Sequence, residues 1–116
     1  MAIEKIYAHL SCSDLEGSIE WFGILFGRAP DARPMDGLAE WHQGEHTGFQ
    51  LYEDEANAGH ATLTLFVSGI EDEHARLKDG DLDPGPLERG DKFSLVRLRD
   101  PDGNLVVLAQ AGALTD

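Results

Sequence analysis

At 116 residues, with 41% hydrophobic and 27% charged side chains, the chain has the composition of an ordinary globular protein and the length of one domain. Its net charge of -13, from 22 acidic and 9 basic residues, argues against nucleic acid as a partner, because phosphate binding needs a basic surface, and would steer a cationic ligand toward the protein. No run approaches the ~20 apolar residues that cross a bilayer, the start Met1-Ala2-Ile3-Glu4-Lys5 lacks the pattern of a signal peptide, and the lone Cys12 has no disulfide partner in the chain, so no membrane partner and a cytoplasmic location are expected.

From the N-terminus, Ile3 to Cys12 alternates as a half-buried strand, with Ala8, Leu10 and Cys12 on one face and Tyr7, His9 and Ser11 on the other. Ser13 or Asp14 can cap a helix in which Leu15, Ile19, Phe22 and Phe26 recur at helical spacing, with Gly27 closing it. Residues 28 to 37 carry two prolines and read as loop with at most a short edge strand. Leu38 to Gln43 and Gly48 to Glu53 form a hairpin around the turn Gly44 to Thr47.

His60 to Val67 is the next strand, with Leu63, Leu65 and Val67 on one face and Thr62, Thr64 and Phe66 on the other. Ile70 to Leu77 is a short helix whose apolar stripe is broken by His74. Residues 79 to 91 hold two further prolines and read as a loop with a short strand. Lys92 to Arg99 and Leu105 to Gln110 are strands around the turn Asp100-Pro101-Asp102-Gly103-Asn104, in which proline presets φ and Gly or Asn accepts φ > 0. The last six residues are expected to fray.

Tyr7 to Phe22 lies over Thr62 to Leu77 at a constant offset of 55, so Leu10 meets Leu65 and Leu15 meets Ile70. The chain therefore reads as an α+β domain over 1–116, built from two βαβββ halves, 1–57 and 58–113, with eight strands and two helices.

Three segments carry a family resemblance. Ala8-His9-Leu10-Ser11-Cys12-Ser13-Asp14-Leu15-Glu16-Gly17-Ser18-Ile19-Glu20-Trp21-Phe22 is similar to a strand followed by "DLxxSIxFY". Leu65-Phe66-Val67 with Ala75-Arg76-Leu77 is the second, and Leu98 to Leu108, similar to a "DPDGNxxEL" hairpin, is the third. Together they resemble the vicinal oxygen chelate superfamily, which includes glyoxalases, bleomycin-resistance proteins and extradiol dioxygenases. The resemblance implies a cupped mixed sheet with helices on its outer face. It also implies copies that commonly pair to complete the cup, hence a homodimer burying well above ~1,000 Å2. It does not specify function.

Enzymes of that superfamily usually hold a divalent metal on His, Gln or Glu from four strands. In this chain the four places fall on Tyr7, Gln50, Thr62 and Val107. Only Gln50 is a ligand that the family uses, so the resemblance implies a lost metal site and no cofactor. His9 and His60 lie two residues from family positions, on the same face by strand parity, and with Gln50 or Glu53 would form a displaced site.

The expected cavity face combines Tyr7, His9, Gln50, Tyr52, His60, Thr62, Thr64, Phe66, Leu105 and Val107, a mixture of apolar walls and a few polar groups that suits a small molecule. Trp41 and Arg97 are further candidates: Trp41 either lines the cup or braces the sheet, and Arg97 either binds an anionic group or pairs with a nearby carboxylate. Cys12 reads as buried core. The first expectation is a metal-independent small-molecule binder similar to the bleomycin-resistance branch, its acidity suited to a cationic ligand. The alternatives are a glyoxalase-like lyase or isomerase, using a displaced metal or His9 as general base, and an interaction module whose cup is filled by its own side chains.

Overall fold

The computed structural model describes residues 1–114. Six strands and two helices alternate as β1 (Ile6–Cys12), α1 (Leu15–Phe26), β2 (Leu38–Gln43), β3 (Thr47–Glu53), β4 (Thr62–Phe66), α2 (Ile70–Asp79), β5 (Phe93–Arg99) and β6 (Leu105–Ala111), with one turn of 3-10 helix at Glu55–Asn57 between the halves. They build two three-stranded mixed sheets of like plan, β1-β3-β2 and β4-β6-β5. In each, the first strand runs parallel to the last, and the two hairpin strands are antiparallel. The expected offset holds: Tyr7 of β1 corresponds to Thr62 at the start of β4, and Leu15 at the start of α1 to Ile70 at the start of α2.

The two remaining expected strands are reduced to single bridges, Ala32 with Glu40 and Glu88 with Leu95. Pro30 and Pro34 flank the first, and Pro84 and Pro86 precede the second. A proline lacks the N–H that a ladder needs, so pairing cannot propagate past the one bridge. Of the last six residues, expected to fray, Ala111 still pairs in β6, and Thr115 and Asp116 lie outside the described residues.

Helix α1 is closed at both ends by its own sequence. The Asp14 carboxylate accepts from the Gly17 N–H, and Gly27 takes the left-handed conformation that ends the helix. Its buried residues Leu15, Phe22 and Leu25 pack on Leu10, Cys12, Phe49 and Leu51. Helix α2 buries only Ile70 and Leu77 and has no side-chain cap of its own; instead Gln110 Oε1 accepts from the Ile70 N–H at 2.8 Å. Acidic Glu71, Asp72 and Glu73 in its first turn, with Arg76 and Lys78 in its last, complement the helix dipole. His74, which interrupts the apolar stripe, anchors the following loop: its ring nitrogen bonds the Gly85 carbonyl oxygen at 2.9 Å.

The halves are tied together at two places. Asn104, fully buried, donates to the Ser11 carbonyl and to the Asp100 carboxylate while accepting from the Ala61 N–H, and Asp102 accepts from the Ser13 N–H and hydroxyl. At the other place the Arg76 guanidinium, held by Glu73, donates to the Ile24 and Leu25 carbonyls and so caps α1 from the second half. Among the described residues no helix is long and apolar enough to cross a membrane.

Candidate functional site

Each sheet buries one face under its helix and leaves the other open. On the first sheet the open face carries Tyr7 and His9 of β1, Glu40 and His42 of β2, and Gln50 and Tyr52 of β3. Parallel pairing sets His9 beside Gln50, and the antiparallel hairpin sets Glu40 on the other side of Gln50. The side chains follow this register. His9 Nδ1 lies 3.3 Å from Gln50 Oε1, Gln50 Nε2 donates to Glu40 Oε2 at 2.8 Å, and His42 Nε2 lies 3.2 Å from Glu40 Oε1. A continuous polar chain thus crosses the sheet. Tyr7 meets the His42 ring edge-on at 6.1 Å, and Tyr52 is tilted against His9 at 6.2 Å. Gly48 lies under the Tyr7 ring, where a β-carbon would approach that ring to 2.9 Å, so only glycine lets the tyrosine lie across β3.

The second sheet's open face is chemically different. Thr62, Thr64, Phe66, Leu105 and Val107 lie on it with Phe93 and Arg97. Phe66 and Phe93, 69% and 48% exposed, meet edge-on at 6.1 Å. Arg97 is engaged by Glu88 in an ion pair, the second of the two roles open to it from the sequence. His60 is exposed and stands just ahead of β4.

Trp41 is a correction to the expected cavity face. It lies on the helix side, 2% exposed, packed on Phe22, Phe26 and Phe49, with its indole N–H donating to the Arg28 carbonyl. The loop between β2 and β3 spans 44–46, which pairs Trp41 with the inward-facing Phe49 and turns Glu40 and His42 outward. Glu40 was not singled out by the sequence; its alternation with Trp41 would have revealed it once the loop length was known.

A groove of about 600 Å3 separates the halves, walled by Phe26, Trp41 and Phe49 on one side and Leu63, Leu65 and Val67 on the other. The ionic groups at its rim are already occupied, Arg28 by Asp31 and the His42 carbonyl, Glu73 by Arg76. His9, Gln50, Tyr52, Thr62, Thr64 and Val107 do not line it. Of the side chains on the two open faces, only those of His42 and Phe66 reach that groove.

The residues at the superfamily's metal positions do not fit a metal. Tyr7 and Thr62 are poor ligands in neutral form, Val107 has no donor, and both amide atoms of Gln50 are engaged by His9 and Glu40. Among the described residues of one chain, no three His, Cys, Asp or Glu side chains converge as a metal site. Cys12 is buried core, its thiol pushed up to about 11 by burial, and so is not an activated nucleophile.

With this geometry in view, comparison with solved structures decides the fold. A glyoxalase/bleomycin resistance protein from Catenulispora acidiphila DSM 44928 superposes with a TM-score of 0.84 at 22% identity, over 92% of this chain and 97% of that one. TnmS3, an antibiotic binding protein from Streptomyces sp. CB03234, gives 0.82 at 21% identity over 97% and 99%. Lactoylglutathione lyase from Agrobacterium tumefaciens gives 0.74 at 16% identity over 90% and 91%. The chain has the vicinal oxygen chelate fold. No family model and no curated protein matches its sequence. The vicinal oxygen chelate plan explains why each half keeps an uncovered sheet face, but the same plan serves a lyase and an antibiotic binder alike.

Proposed function

We propose that the chain, a single domain of halves 1–57 and 58–113, is a small-molecule-binding protein that works without a metal, in the manner of the bleomycin-resistance branch of its fold. It acts in the cytoplasm as a homodimer in which the open face of one protomer's first half meets that of its partner's second half. The observation that carries this reading is the contrast between the two faces. One is a hydrogen-bonded array of His9, Gln50, Glu40 and His42. The other presents Phe66 and Phe93 to solvent with Leu105 and Val107 beside them. Apolar walls with a few oriented polar groups are what a small-molecule site requires, and here each half supplies one part. Exposed phenylalanines on a sheet face also call for a cover. The antibiotic-binding neighbour supports the ligand class, and the net charge of -13 favours a cationic ligand over an anionic one.

The test is a thermal-shift screen over cationic and aromatic metabolites and divalent metals, with light scattering on the same samples. A ligand at a hundredfold its Kd raises stability by about 2.7 kcal/mol. A monomer mass at micromolar concentration, or close to one metal per chain lost in the His9→Ala, His60→Ala double variant, overturns the reading.

A second reading, a lyase or isomerase with His9 as general base, is favoured by the orientation of the imidazole against Gln50. Turnover abolished by His9→Ala with ligand binding retained would select it.

A further inference from the structure

We propose that His9 Nε2 is a fixed proton-accepting atom on the first half's open face, and that the ligand it takes is an aromatic compound bearing a phenolic hydroxyl. This rests on the small-molecule reading above and gives that site a ligand chemistry.

Hydrogen-bond polarity sets the tautomer. Glu40 is a carboxylate and accepts only, so the group 2.8 Å from its Oε2 is a donor, which sets the Gln50 amide with Nε2 toward Glu40. A flipped amide would press two acceptor oxygens together. The other end of the amide is then Oε1, which also accepts only, so His9 Nδ1, 3.3 Å away, carries the hydrogen. A neutral His9 with its proton on Nδ1 has its lone pair on Nε2, and among the described residues no group bonds Nε2. Imidazole in water prefers the opposite tautomer, with the proton on Nε2. The array therefore holds a neutral His9 in the tautomer that accepts at its outer nitrogen.

The surroundings narrow the ligand. The charged or titratable groups on this face are Tyr7 on β1, Glu40 and His42 on β2, and Tyr52 on β3. None is a fixed cation, and Glu40 stands one amide away from His9. An anionic acceptor such as a carboxylate is repelled, whereas a neutral O–H donor is accepted. Tyr52, with its ring centroid 6.2 Å from that of His9, offers a flat aromatic neighbour for a ligand ring. If the proton moves, the phenolic O–H bond breaks, oxygen keeps the electron pair, and an Nε2–H bond forms. The resulting imidazolium is stabilised through the Gln50 dipole by the Glu40 carboxylate, and no oxidant or reductant is involved.

Two measurements test this. Nitrogen-15 NMR of the ligand-free protein is expected to find neutral His9 protonated at Nδ1, with the ordinary Nε2–H tautomer regained in Gln50→Ala; an Nε2–H tautomer in the unaltered protein overturns the proposal. Calorimetry with 4-nitrophenol and its methyl ether, 4-nitroanisole, is expected to favour the phenol about tenfold, with the yellow phenolate band growing on binding and the preference lost in His9→Phe. Equal affinities, or binding of neither, overturn it as well. The broader small-molecule reading is judged separately, by the thermal-shift screen, which does not depend on a phenol; a ligand found there by a protein that fails the phenol test leaves that reading standing.

Discussion

The two halves share one topology and hold it by different means. In the first, α1 has its own cap and buries Leu15, Phe22 and Leu25, and Phe22, Phe26, Trp41 and Phe49 form a cluster of aromatic rings with centroids 4.9 to 6.3 Å apart. In the second, α2 buries Ile70 and Leu77, takes its cap from Gln110 on β6, and carries charges matched to its dipole. The open faces reverse this: the half with the aromatic core shows a polar array to solvent, and the other shows phenylalanines. A repeated fold therefore constrains which positions are inward, while the chemistry placed there and on the open face is free to diverge.

The halves should differ most in their cores. Phe22→Ala should cost about 3–5 kcal/mol in urea melts, whereas Ile70→Ala should fall near the low end of the about 2–5 kcal/mol range, because α2 has fewer buried partners. Equal losses would mean that the halves are held alike. Next is the tie between them. Asn104→Ala removes the side-chain partner of the Ser11 carbonyl, of the Ala61 N–H and of one oxygen of the buried Asp100 carboxylate, whose other oxygen keeps two backbone donors, and should cost about 2–3 kcal/mol by the same melts. The caps come third: Asp14→Ala should cost about 1 kcal/mol, and Gln110→Ala a similar amount despite lying far from α2 in sequence. Phe66→Asp should change chain stability by no more than about 0.5 kcal/mol, since the side chain is exposed, yet lower the mass seen by light scattering toward that of one chain.

The smallest effect is in pH, and the halves should differ in sign. Asp31 is held below the usual aspartate value by the His42 N–H and then by Arg28, so its stabilisation is present above that usual value and is lost as pH falls through its lowered one. Burial raises Asp100 above the usual value against its hydrogen bonds from Asn104 and Asp102. Its contribution is therefore full below the usual value and is lost as pH rises through its raised one. Carboxyl carbon NMR titration reads both directly; shifts of the same sign would refute this difference.

Much of the fold was legible in the chain itself. Alternation placed Leu10 and Cys12 inward and Tyr7 and His9 outward, helical spacing found α1, the Asp100 to Asn104 turn announced the last hairpin, and the offset of 55 revealed the repeat. These are short-range consequences of backbone period and turn chemistry, so neighbouring residues suffice to encode them. The site was legible only in part. His9 and Gln50 could be put on one face by parity, but their contact depends on the parallel register of β1 with β3, between residues 41 positions apart. Glu40 entered and Trp41 left the open face because of the loop at 44–46, whose length sets the hairpin register and which local patterns leave open. His74, which reads as a flaw in a helix, becomes an anchor only once Gly85 is beside it. Sequence by itself determined the period of the elements and the inward face of all the main ones but β2; tertiary structure decided the faces of β2 and which polar side chains meet, because both rest on register between strands, where one residue of slip exchanges the two faces.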